Sequence, residues 1–248
     1  MKTTGNTILI TGGTSGIGRG LAERFHAEGN QVIIAGRRAG LLTTVTAERY
    51  GMDSVILDVT DQASISECFE AVTARHPDLN MVINNAGIMH PERLDDPGHL
   101  GVAEATVTTN LLGPIRVLAA FVPVLIDRPD AVVMNVSSGL GFVPLPYAPT
   151  YSATKAAIHS FTQSLRVQLA GTGVQVLELI PPAVQTDLMG QKDDERAMGL
   201  EPFLSEVMEL LRTRPDDVEI CVDNVQFLRR AEADGNYDDV LKMLSAAF

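Results

Sequence analysis

Hydrophobic and polar positions along the chain follow two alternating periods. Short runs at Thr7–Thr11, Gln31–Gly36, Ser54–Val59, Met81–Asn84, Ala131–Val136, Val174–Leu179 and Val218–Val222 are almost unbroken Val, Ile and Leu. Strands of that kind are buried on both faces, as in a parallel sheet. Between them lie longer amphipathic stretches that predict helices, among them Gly18–Glu28, Asp61–Arg75, Val102–Leu125 and Tyr151–Leu169. Asp61 precedes the apolar positions Ala63, Ile65, Phe69 and Val72 and predicts an N-cap. The alternation predicts an α/β fold: a single Rossmann-like, doubly wound parallel sheet of about seven strands with helices on both faces. No linker or repeat divides it, so residues 1–248 read as one domain. Residues 187–215 read as an excursion covering the substrate, and 223–248 as a C-terminal helical extension. In such sheets ligands bind beyond the carboxyl ends of the strands.

Composition narrows the function classes. A formal net charge of −12 over 248 residues argues against a nucleic-acid surface and against docking on anionic lipid. Cys68 and Cys221, without a CxxC, predict reduced thiols and a cytoplasmic location. The opening residues lack a charged-then-apolar signal pattern, and no apolar run approaches the ~20 residues of a membrane span. His26, His76, His90, His99 and His159 show no metal-ligand spacing, so no metal is expected.

Chemistry first shows itself after the first strand. Gly12-Gly13-Thr14-Ser15-Gly16-Ile17-Gly18 joins that strand to the first helix. Gly12 suits the tight turn, Gly16 leaves room for a pyrophosphate, and Gly18 lets helix and strand pack closely. The helix N-terminus then offers free N–H groups to phosphates. The second strand ends in Ala35-Gly36 followed by Arg37 and Arg38, with no carboxylate for ribose hydroxyls. Guanidinium groups there grip a 2′-phosphate, so NADP(H) rather than NAD(H) is the expected cofactor.

Further on, Tyr151 and Lys155 stand four apart, which stacks them on one helical face. A phenol with a pKa of about 10 needs help to exchange protons near neutrality. A positive charge ~4 Å away is worth ~4 kcal/mol at an effective dielectric of 20, which is the right size. Ser138 closes the fifth strand, and Asn110 is a polar side chain inside an apolar helix that wants a partner if buried. Ser137 should point away from Ser138, because strand residues alternate faces.

The turn Thr-Gly-x-x-x-Gly-x-Gly, the Asn84-Asn85-Ala86-Gly87 segment and the set Asn110, Ser138, Tyr151 and Lys155 resemble the short-chain dehydrogenase/reductase family, from Thr7 to about Leu188. The resemblance implies an oxidoreductase in which Tyr151 exchanges the proton. Lys155 lowers the phenol pKa and holds the nicotinamide ribose, Ser138 binds the substrate oxygen, and Asn110 anchors a water. It implies cofactor contacts at Gly12, Thr14, Ser15, Gly16, Ile17, Gly18, Arg37, Arg38, Asp58, Val59, Asn85, Ala86, Gly87, Pro181, Val184 and Thr186, besides Tyr151 and Lys155. Pro182 and the acidic helical C-terminus depart from the common pattern. Pro181-Pro182-Ala183-Val184 and Ser137-Ser138-Gly139-Leu140 resemble the branch typified by the oxidoreductase of the D-alanine export operon.

Gly139–Tyr147 follows Ser138 directly, so Leu140, Phe142, Val143 and Tyr147, with Met189 from the excursion, are the expected substrate contacts. Their character suits a ketone, aldehyde or secondary alcohol with a hydrophobic body. Leu118, Phe121, Ile158, Phe161 and Leu165 exceed what one buried helical stripe needs and predict a homodimer or homotetramer. Two rivals are a non-catalytic dinucleotide-binding regulator, which has no need of all four catalytic positions, and an epimerase or dehydratase. The latter usually carries a larger C-terminal domain.

Overall fold

The computed structural model describes residues 1–246, with Gln191 and Asp193 described for their backbone only. Its strands are β1 (Thr7–Thr11), β2 (Gln31–Gly36), β3 (Asp53–Ile56), β4 (Met81–Asn84), β5 (Val132–Val136), β6 (Gln175–Leu179) and β7 (Glu219–Ile220). Every neighbouring pair is parallel, in the order β3-β2-β1-β4-β5-β6-β7. This is the doubly wound sheet the pattern predicts. The order reverses between β1 and β4, and a crevice opens at the carboxyl ends of these strands.

Alternate residues of one strand enter opposite core layers. Ile8, Ile10, Val32, Ile34, Met81 and Ile83 face one layer; Leu9, Ile33, Val82 and Val133 face the other. That double burial is why the strands read as continuous apolar runs.

The helices are α1 (Gly16–Ala27), α2 (Ala39–Glu48), α3 (Gln62–Arg75), α4 (His99–Val107), α5 (Gly113–Leu125), α6 (Pro149–Leu169), α7 (Leu200–Thr213), α8 (Gln226–Arg229) and α9 (Tyr237–Ser245). Asp61 does cap α3, its carboxylate accepting the Ala63 N–H at 2.9 Å. β3 stops three residues short of the predicted Val59. The Asp58 N–H turns to the Ser64 hydroxyl (2.9 Å), which takes the chain out of the sheet.

Two expectations need correction. α4 and α5 run through a π turn at Thr108–Leu112, giving one helical run, His99–Leu125, that is long and apolar enough by length and composition to cross a membrane. Val117, Leu118, Phe121 and Leu125 bury its inner face in the core, which marks it as a core helix. The apolar surplus assigned to subunit contacts is also largely spent inside. Leu118, Phe121 and Ile158 are buried, and Phe161 and Leu165 pack against the second layer. Phe121 meets Phe69 of α3 edge to face at 5.3 Å, so α5 is covered by a helix as well as by the sheet.

The stretch 187–215 divides in two. Phe203, Leu204, Val207, Met208 and Leu211 of α7 belong to the first core layer, with Leu204 seated on Gly20 of α1. Only the part before α7 is free to lie over the crevice. In the C-terminal stretch Val225, Leu228, Ala231 and Val240 join the same layer; Ala247 and Phe248 lie outside the described residues.

Candidate active site

The β1–α1 turn is built around close approach. Gly12 has φ of 68°, and a Cβ there would stand 2.9 Å from both the Ala86 Cα and the Asn85 amide. A Cβ on Gly18 would collide with the Gly12 carbonyl. The Asn85 amide donates to the carbonyls of Thr11 and Gly12 at 3.1 and 3.2 Å, tying the Asn-Asn-Ala-Gly segment to the turn.

These segments enclose a groove of about 320 Å³. Of the predicted cofactor contacts, Gly12, Thr14, Ser15, Gly16, Ile17, Arg37, Arg38, Asp58, Val59, Asn85, Ala86, Gly87 and Thr186 line it. Gly18, Tyr151, Lys155, Pro181 and Val184 do not. Gly18 is consumed by the helix–strand contact. The Pro181 carbonyl accepts the Gly139 N–H at 2.9 Å, and Val184 is buried in a bridge to Met198. Thr60, Ile88, Asp187 and Leu188 also line the groove; no glycine or charge pattern in the sequence marks them.

The groove suits a dinucleotide. Its turn excludes a side chain at Gly12 and Gly18, and the N-terminus of α1 opens onto it, as a pyrophosphate requires. At the far end the Arg38 guanidinium donates to the Thr14 hydroxyl at 3.4 Å. Burial disfavours the Asp58 carboxylate. Even so, the Thr60 hydroxyl and N–H, with Arg37 nearby, hold its pKa below the usual carboxylate range.

Ser138, Tyr151 and Lys155 converge at the carboxyl edge of β5 and the first turns of α6. All three are buried. The Lys155 ammonium donates to the Val136 carbonyl at 2.8 Å and lies 5.5 Å from the centre of the Tyr151 ring. Burial pushes the Tyr151 phenol up to about 12, against a hydrogen bond from Ser138. It pulls the Lys155 ammonium down to about 8, against the carboxylate of Glu178. The expected lowering of the phenol pKa by Lys155 is therefore not seen in this geometry. Desolvation dominates both groups, and the ammonium is turned to Val136.

Asn110 sits in the π turn, a feature often found at functional sites. Its side-chain oxygen accepts the Ile88 N–H at 2.8 Å, and its nitrogen donates to the Ile88 carbonyl at 2.7 Å. The polar side chain in an apolar helix thus has its partners. They clasp the loop after β4, so the amide is occupied by Ile88 rather than held open for a water. The Ser137 hydroxyl points the other way from Ser138, as alternation requires, and donates to Glu178.

A second cavity of about 490 Å³ adjoins the groove and is lined by Met89, His90, Pro91, Tyr147, Leu188 and Met189 among others. Tyr147 and Met189 thus stand where a substrate contact is expected. Leu140 packs in the small cluster with Met89 and Tyr151. Phe142 and Val143 are corrections. Val143 is fully buried in the core, and Phe142 lies against the His159 ring (4.7 Å between centres) and under the Arg229 guanidinium. The 3₁₀ turn at Gly139–Gly141 swings both inward.

The sequence gives no signal for Glu92. It is buried, and its two oxygens accept the Thr150 N–H at 3.1 Å and the Thr150 hydroxyl at 2.7 Å. A carboxylate there caps the N-terminus of α6, one residue before Tyr151. Glu92→Ala is expected to cost about 1–2 kcal/mol, read as a fall of several degrees in Tm. An unchanged Tm would remove Glu92 from this role.

The model of the short chain dehydrogenase family matches residues 6–197 of this chain. The chain belongs to that family. Among curated relatives, the oxidoreductase DltE of Bacillus subtilis is 35% identical over 253 residues, 99% of this chain and 98% of the relative. That bears out the branch resemblance. Among solved structures, serine dehydrogenase complexed with NADP+ gives a TM-score of 0.78 at 27% identity, covering 86% of this chain and 92% of that one. A 3-ketoacyl-(acyl-carrier-protein) reductase from Brucella melitensis complexed with NADH gives 0.76 at 26%, covering 86% and 93%.

Proposed function

We propose that this short-chain dehydrogenase is an NADPH-dependent carbonyl reductase or alcohol dehydrogenase acting on substrates with a hydrophobic body. What carries this is the convergence of the buried side chains of Tyr151, Ser138 and Lys155, with Tyr151 in one cluster with Leu188, a residue that lines the dinucleotide-shaped groove. Bound in the groove, NADPH supplies the hydride. The groove's glycine turn and α1 N-terminus would hold its phosphates, and Arg37 and Arg38 its 2′-phosphate. Tyr151 gives its proton to the carbonyl oxygen as the alcohol forms. Ser138 donates a hydrogen bond to the same oxygen, where negative charge gathers. Lys155, as a cation, supports the phenolate left behind and holds the nicotinamide ribose. Asn110 fixes the loop after β4 through Ile88. The cavity beside Met89, Tyr147, Leu188 and Met189 receives the apolar part of the substrate.

The pairing of NADP+ with serine dehydrogenase agrees with the two arginines at the groove. Free Cys68 and Cys221 accord with a cytoplasmic location. The proposed assembly is a homodimer or homotetramer through the outer faces of the His99–Leu125 run and α6, where Val167 is 78% exposed. Light scattering at micromolar concentration should give a multiple of 26.6 kDa, and a monomer refutes it. The function itself is tested by following NADPH consumption with a panel of ketones and aldehydes. Saturable turnover of at least one apolar carbonyl is expected. Binding of NADPH without turnover of any would point to a sensor instead.

A further inference from the structure

Behind the catalytic trio lies a buried charge that the proposed reaction has not used. Glu178, on β6, is fully buried. One of its oxygens accepts the Ser137 hydroxyl, and the other lies 2.8 Å from Nδ1 of His159. The far nitrogen of His159 accepts from the Gln163 amide at 3.1 Å. The imidazole proton therefore sits on Nδ1 and donates to Glu178. His159 follows Lys155 by four residues on α6, so the two side chains leave the helix on one face and meet β5 and β6 together. Lys155 reaches the Val136 carbonyl, and Ser137, which holds Glu178, is the next residue.

A carboxylate sealed from water is costly unless a cation or donors face it. Several titratable or charged groups surround Glu178. His159 comes from α6, Glu219 pairs beside it on β7, and Cys221 follows β7. Arg229 of α8 binds both oxygens of Glu219 at 2.8 and 3.2 Å. Ligand atoms of His159, Glu178 and Glu219 lie within 4.8 Å of one another, a convergence that sequence spacing hides. It does not ask for a metal, because Arg229 already answers Glu219, and His159 is spent on Glu178. The remaining cation on the substrate side is Lys155, with Tyr151 its titratable neighbour on α6.

We infer that Glu178, held in place by Ser137 and His159, is the buried counter-charge that keeps Lys155 in its ammonium form, making it a positioning residue for the reaction proposed above. Burial alone drives Lys155 toward the neutral amine, which would neither support a phenolate nor hold a ribose as a cation. Glu178 is the group that opposes burial. It acts across the strand, from a place that substrate and nucleotide do not reach.

The chain has only four lysines, Lys2, Lys155, Lys192 and Lys242, so Lys155 can be watched directly. The protein carrying 13C at lysine Cε is titrated by NMR without added nucleotide, the Lys155 signal being assigned by its loss in Lys155→Met. Wild-type Lys155 should titrate near 8. In Glu178→Gln, nearly the same in shape but uncharged, the midpoint should fall by about one pH unit, the size expected of a lost charge within ~10 Å at an effective dielectric of 20. Glu178→Asp, which changes the packing but keeps the charge, should stay close to wild type. Glu178→Ala, which leaves room for a water, repeats the test should the glutamine fail to pack. The alkaline limb of the kcat profile should move with the NMR midpoint. An unmoved Lys155 in the uncharged variants, or an aspartate variant behaving like the glutamine one, overturns the inference. A shifted midpoint in a protein that turns over no carbonyl would leave Glu178 in its role and reject the reaction instead.

Discussion

Lys155→Met is expected to leave a protein that is inactive and more stable than the wild type. Burial lowers Lys155 from 10.5 to about 8. That difference of roughly 2.5 units corresponds to about 3 kcal/mol, set against folding wherever the folded protein must hold the proton. Below pH 8 both folded and unfolded chains carry the charge, so the cost is present in full. Between 8 and 10.5 the folded state has released the proton while the unfolded chain still holds it, and stability rises with pH. Methionine fills a similar volume without the charge but leaves Glu178 without the Lys155 ammonium, whose charged form it supports against burial. The net gain should then be about 1–2 kcal/mol, a rise of several degrees in Tm for a chain of this size. Turnover should fall by at least the ~10²-fold of lost acid–base assistance. Tyr151→Phe, which removes only the proton, should lose as much turnover and keep its affinity for NADPH. Calorimetry and steady-state kinetics on both variants decide the matter. An active Tyr151→Phe enzyme, or a destabilised Lys155→Met protein, would contradict the roles assigned here.

The second large effect concerns the cofactor. Arg37→Asp is expected to weaken NADPH far more than NADH. The loss of one charge-assisted contact is worth ~1.5–3 kcal/mol, or about 10–150-fold in affinity, and the new carboxylate would repel the 2′-phosphate as well. Arg37 and Asp58 both line the groove and interact through their charges, and Arg38 reaches back to Thr14. Arg38→Ala should therefore cost less than Arg37→Asp. KM values for the two nucleotides in each variant give the answer; a wild type preferring NADH, or a preference unmoved in Arg37→Asp, rejects the clamp.

Most of the fold is written in local pattern. Buried parallel strands must be apolar on both faces, so β1, β2 and β4 appear in the sequence with the bounds they have in space. The glycine turn is equally legible, because Gly12 and Gly18 stand where no side chain fits. What escapes is anything set by partners distant in the chain. Phe142 and Val143 look like a pocket wall because they follow Ser138, yet a short 3₁₀ turn sends them into the core. Glu92 carries no local signal, since its partner Thr150 is 58 residues away. Glu178 interrupts an apolar strand and is the one charge in β6, a sign that only His159 and Ser137 make readable. The surplus of Leu118, Phe121 and Ile158 misleads for the opposite reason: a helix covered on several sides buries more than one stripe.

The π turn in the long helix has a consequence for how that helix divides its labour. At about 100° per residue, Asn110 would fall within about 20° of both Val117 and Phe121 in a regular α-helix. All three would share one azimuth and confront the same underside of the sheet. The wider turn absorbs about one extra residue and breaks that phase. Upstream, the helix presents an amide to Ile88 and Thr154; downstream, it presents an unbroken hydrophobic keel to β4 and β5. One rod thus serves two directions, with Pro114 set just beyond the join, and the dephasing is what lets a polar clasp and a greasy core be neighbours on the same axis.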